Sequence, residues 1–128
     1  MAEQATAPVD IRRGEHERVS RNFGLDFKLL HPWPGMTTPF RGAWCIVRPG
    51  DVTEPHAHGE DEIMIAMAGG GVLVTDEGRI ECAAGDIVFM PANTGHSVVN
   101  EGDEDFSYYS IWWDRAMSTE FLDAESGE

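Results

Sequence analysis

The feature that most narrows the fold of this chain is the rhythm with which it is interrupted. Short runs rich in β-branched and aromatic residues recur at 22–30, 40–48, 62–68, 72–75, 79–82, 87–90, 97–100 and 106–113. Most are closed by residues that bar regular pairing or favour a tight turn. The closing segments are Pro32 to Gly35, Pro49-Gly50, Gly69-Gly70-Gly71, Asp76-Glu77-Gly78, Pro91 and the acidic stretch 101–105. In the first run, Phe23, Leu25, Phe27 and Leu29 occupy alternate positions, the period of a strand with one buried face. Only residues 115–122, RAMSTEFL, have the spacing of an amphipathic helix. Strands at such intervals, with no helices alternating between them, predict an all-β sandwich or barrel that ends in a short helix.

A chain of 128 residues supports one hydrophobic core rather than two. The expected organisation is a flexible arm over 1–21, one domain over 22–122 and an acidic tail over 123–128. A net charge of −14 repels phosphate backbones and anionic lipid, which argues against nucleic acid or a membrane surface as partner. No apolar run reaches the length of a membrane span, and the N-terminus lacks a signal-peptide pattern, so the expected location is cytoplasmic. Cys45 and Cys82 each lie inside an expected strand and match no zinc or redox spacing, so they are expected as buried free thiols.

Chemistry concentrates in residues 50–69, GDVTEPHAHGEDEIMIAMAG, and in His96. His56 and His58 stand two apart, which in extended chain directs both to one side. Glu62 opens the next strand and can fold back toward them. Three imidazoles and one carboxylate suit a divalent transition metal and leave coordination positions open, the mark of a catalytic rather than a structural site. His16 and His31 read instead as an exposed and a loop histidine. Met64 shares a face with Glu62, and Val98 with His96. In the last strand either Tyr109, Ile111 and Trp113 or Tyr108, Ser110 and Trp112 face inward. The expected substrate pocket uses Met64, Val98, Tyr109, Ile111 and Trp113, with Arg48 offered to a substrate carboxylate; Arg41 and Arg79 are weaker candidates for that role.

The spacing Gly50-x5-His56-x-His58-x3-Glu62-x6-Gly69 resembles the first motif of the cupin superfamily without departure. Gly85-x5-Pro91-x-Asn93-x2-His96-x3-Asn100 resembles the second, with Asn93 where that family usually carries glycine. Asparagine tolerates a left-handed turn better than most residues, so the change is mild. The resemblance spans residues 40–113. It implies a double-stranded β-helix, or jelly-roll barrel, with a metal held by His56, His58, Glu62 and His96. Fe2+ and Zn2+ are the first expectations for that metal, with Mn2+ and Ni2+ behind them.

Cupins share a site and differ in reaction, so fold alone does not choose the chemistry. The expected function is a metal-dependent enzyme of bacterial specialised metabolism acting on a small organic molecule, by oxygenase or Lewis-acid chemistry. A narrower resemblance, carried by residues 108–114, Met117 and Phe121, is to the cupin part of hydrazine synthetases. It implies a zinc centre that forms an N–N bond and a separate partner enzyme to supply the ester substrate. The third alternative is a non-catalytic cupin that binds a metal or small ligand and regulates another protein. A homodimer is expected, built through an edge strand or the N-terminal arm.

Overall fold

A computed structural model describes residues 9–13 and 19–126. These residues form nine strands and one helix. In chain order they are β1 (Ser20–Asn22), β2 (Leu25–Leu29), β3 (Arg41–Val47), β4 (Asp61–Ala68), β5 (Gly70–Thr75), β6 (Gly78–Ala83), β7 (Ile87–Met90), β8 (His96–Val99), β9 (Phe106–Trp113) and α1 (Arg115–Ser126). The strands assemble into two antiparallel sheets, ordered β1-β2-β3-β9-β4-β7 and β6-β5-β8. Residues 52–56 extend the smaller sheet along β8 through bridges from Val52 to Val99 and from His56 to His96. The fold is all-β, a jelly roll with a C-terminal helix.

Alternation along each strand decides what lies between the sheets. In the larger sheet, Cys45 stands opposite Tyr108 and Ala43 opposite Ser110. Met64 stands on the other side of Ser110, and Ala66 on the other side of Tyr108. These side chains, with Leu25, Leu73, Met90, Val98 and the fully buried Val47 and Phe106, make the core. The opposite parity points outward and is also apolar: Ile63 pairs with Phe89 and Ile111, and Ile65 with Ile87 and Tyr109. Ile87 and Phe89 are more than half exposed.

Three local features differ from the expected elements. The first run is a hairpin, because Phe23 and Gly24 both take positive φ (55° and 84°) and turn β1 back onto β2. The sheet therefore begins at Ser20, inside the segment expected as an arm. Farther upstream, Arg12 stacks over the Trp33 ring at 4.2 Å and donates to the carbonyls of Leu30 and Pro32. The helix runs on to Ser126, past the expected stop at Leu122, since no proline or glycine ends it earlier. Asp114, just before it, is the N-cap: its carboxylate accepts from the Met117 amide at 2.9 Å.

Asn93 holds φ 65°, the left-handed turn expected of it, and its amide donates to the His58 carbonyl at 2.6 Å. The turn thus ties the loop before β8 to the loop before β4, and those two loops carry the site. Asn100, the last residue of the second motif, is 1% exposed. Its side-chain amide donates to the carbonyls of Val47 and Glu104, each at 2.7 Å, and its carbonyl accepts from the Gly102 amide. Its part is to clamp the acidic turn onto the end of β3.

Candidate metal centre

Register brings the candidate ligands together. His56 lies opposite His96 across the bridge between residues 52–56 and β8, and their rings sit 4.5 Å apart. Glu62 comes from β4 of the facing sheet. Ligand atoms of His56, Glu62 and His96 all lie within 4.8 Å of one another, which is close enough to hold one metal ion. His58 joins through Glu62, with its Nε2 3.1 Å from Oε1, while its ring stacks 5.4 Å from that of His56. His96 Nε2 is 3.7 Å from the same oxygen.

The surroundings suit a metal better than a chance cluster would. His56 Nδ1 lies 3.3 Å from the Glu54 carbonyl, and His96 Nδ1 lies 3.0 Å from that of Thr94. A carbonyl accepts from Nδ1–H, which leaves Nε2 as the free lone pair, the arrangement that orients metal-ligating histidines. Burial lowers the pKa of His96, which favours the neutral imidazole a metal needs. Glu62 is buried, and its second oxygen accepts a hydrogen bond from the Ser110 hydroxyl, which fixes the carboxylate plane.

The four side chains open into a cavity of about 540 Å³ between the sheets. Its walls are mostly apolar, made by Phe23, Leu25, Phe27, Leu29, Met64, Val98, Tyr108 and Trp112. Cys45 also faces it, its thiol pushed up to about 12 by burial and so held protonated.

Of the expected pocket residues, Met64 and Val98 line the cavity, whereas Tyr109, Ile111, Trp113 and Arg48 do not. The last strand presents Tyr108, Ser110 and Trp112 instead. Tyr109 meets Trp44 edge-on across β3, on the outer face. Arg48 is held outside by Asp26 and Asp105, at 2.8 and 2.7 Å. Arg79 pairs with Glu101, and Arg41 is exposed outside the lining. His31 lies away from the cavity, near Thr38, and His16 lies outside the described residues. Both cysteines are buried and free.

Ser110 stood among the two alternative inward faces of the last strand, but its hydrogen bond to Glu62 was not foreseen. The signal was present in the alternation of β9, where a serine among aromatics marks a face that must satisfy something polar.

A family model described as a cupin domain matches residues 43–112. Among solved structures, a Cupin 2 conserved barrel domain protein from Salinispora arenicola is 40% identical, with a TM-score of 0.81 over 92% of this chain and 99% of that one. The plu4264 protein from Photorhabdus luminescens is 34% identical, with a TM-score of 0.78 over 91% and 97%. A predicted oxalate decarboxylase from Thermotoga maritima is 26% identical, with a TM-score of 0.63 over 70% and 79%.

Proposed function

The chain belongs to the cupin family, and we propose that it is a metal-dependent enzyme acting on a small, largely apolar organic molecule. The observation that carries this reading is the convergence of His56, His58, Glu62 and His96 at one end of an apolar cavity large enough for a ring-bearing substrate. Those four residues would hold the metal. A bound divalent ion with open positions supplies Lewis acidity, or for iron an oxygen-binding site.

The chain's own residues do the remaining work. The Thr94 and Glu54 carbonyls keep two imidazoles aimed, and Ser110 keeps Glu62 aimed. Phe27, Leu29 and Trp112 exclude water and hold a flat apolar group against the centre. Buried Tyr108 keeps its proton, since burial raises its pKa, so near the substrate it serves as a hydrogen-bond donor rather than a base. Oxalate, named for the Thermotoga relative, fits this cavity poorly: a compact dianion would leave the apolar wall unused.

The test is a mass-spectrometric screen of small aromatic and polyketide-like compounds with protein loaded in turn with Fe2+, Zn2+, Mn2+ or Ni2+. The reading predicts a product that disappears with chelator and with His96→Ala. Ligand binding without turnover for every metal would make the protein a binding module instead.

A further inference from the structure

Strand register divides the inner face of the larger sheet into rows, and the rows fix how far each wall residue stands from the ligands. Glu62 pairs with Trp112 in the first row. Leu29, Ala43, Ser110 and Met64 make the second, and Phe27, Cys45, Tyr108 and Ala66 the third. From Glu62 to Ala66 along β4 is about 13 Å at the rise of a strand. The cavity runs the whole way, since Phe27, Cys45 and Tyr108 line it as well as Glu62 and Trp112. The Tyr108 ring stays at the far end, 5.3 Å from the ring of Phe106, which stands one row farther on.

Polar groups nearer the ligands are already engaged. Ser110 donates to Glu62, and Thr53 Oγ1 accepts from the Val98 amide at 2.8 Å. Tyr108 is placed differently. It is buried, and its hydroxyl bonds to the thiol of Cys45, directly across the β3–β9 pair. Sulfur is a weak acceptor, and that thiol itself donates to the Ala43 carbonyl at 3.8 Å. A phenol donor is thus held at the cavity wall against sulfur, where an oxygen would serve it better.

We infer that Tyr108 is the second recognition point of the cavity: the substrate carries a neutral carbonyl oxygen, remote from the group that meets the metal ligands, and that oxygen accepts from the Tyr108 hydroxyl. This rests on the cavity being the substrate site. A carboxylate would not serve in place of the carbonyl, because Phe27, Cys45 and Ala66 offer it no counter-charge and burial would strip its hydration. An alkyl end would leave the phenol against sulfur. The substrate class is therefore an uncharged ketone, ester or amide with a metal-binding group at its other end.

The experiment uses zinc-loaded protein and two uncharged catechols of matched length, 4-(3,4-dihydroxyphenyl)butan-2-one and 4-butylcatechol. They share the metal-binding end and differ by a carbonyl in place of a methylene. By calorimetry, Tyr108→Phe, which keeps the ring, should weaken the ketone about tenfold, the scale of one buried hydrogen bond, and leave 4-butylcatechol within about twofold. Zinc stoichiometry and circular dichroism check that the variant is intact. Equal weakening of both compounds, or no weakening of either, overturns the role of Tyr108 and leaves the cavity as the substrate site. Failure of both to bind zinc-loaded wild type overturns the cavity reading itself, and the inference falls with it.

Discussion

Ser110 and Asn100 are both buried, both polar and both within reach of the site's loops, yet removing them should have opposite consequences. Ser110→Ala frees one oxygen of Glu62 without unpairing the backbone. Its expected effect is a 10- to 100-fold loss of metal affinity, the usual cost of an outer-shell partner, with little change in melting temperature. Asn100→Ala strips donors from the carbonyls of Val47 and Glu104. It should cost about 1–3 kcal/mol for each group left unsatisfied and leave metal affinity unchanged in the folded fraction. Chemical denaturation and metal titration of the two variants separate the cases. At this scale the ligands were legible because they are local: His56, His58 and Glu62 span seven positions, and the left-handed Asn93 could be anticipated from its residue type. Ser110 was not, because its relation to Glu62 crosses 48 positions and exists only through strand register.

Among the elements, β9 exposes the weakness of alternation as evidence. Its two faces, Tyr108-Ser110-Trp112 and Tyr109-Ile111-Trp113, are equally rich in aromatics, and the more apolar set points outward. The outer surface of the larger sheet is itself apolar, so hydrophobicity does not mark the inside there. The join between β4 and α1 is easier to read in energetic terms. Arg115 holds Asp61 at 2.8 Å, and Asp61 also accepts from the Ala92 amide. The Arg115 guanidinium, first among the causes, lowers the Asp61 pKa below its ordinary 3.8. A lowered folded-state value stabilises above the unfolded value and is lost as pH falls through the folded one. Arg115→Gln should therefore melt below wild type at pH 7. The two melting curves should begin to converge as pH drops below about 3.8 and meet once Asp61 is protonated in the folded protein; a gap that persisted at that point would mean lost packing instead.

For the whole molecule, we propose that the homodimer, expected through an edge strand or the N-terminal arm, instead uses the outer face of the six-stranded sheet. There Ile87, Phe89 and Met67 are each about half exposed or more, beside Ile63, Ile65 and Ile111. Exposed apolar side chains gathered on one surface mark sites of protein–protein contact. Across β7, β4 and β9 the paired outer positions Ile87, Phe89, Ile63, Ile65, Tyr109 and Ile111 are all uncharged, in a chain whose net charge is −14. Sedimentation should find dimers at micromolar concentration and monomers for Ile87→Asp/Phe89→Asp; a wild-type monomer at those concentrations would contradict it. Two sheets enclosing a core, with a histidine- and carboxylate-lined cavity between them, were legible in the turn rhythm and the two spaced motifs. Which outer surface stays bare was not, since that depends on which strands become neighbours.

Everything proposed for this site depends on His56, His58, Glu62 and His96 holding one metal. The measurement that tests it most directly is elemental analysis of anaerobically purified protein, alongside a His56→Ala/His58→Ala variant shown by circular dichroism to remain folded. Close to one divalent metal per wild-type chain is expected, and a small fraction of that in the variant. Wild-type protein that neither carries a metal nor takes one up from a buffered solution of Fe2+ or Zn2+ would contradict it.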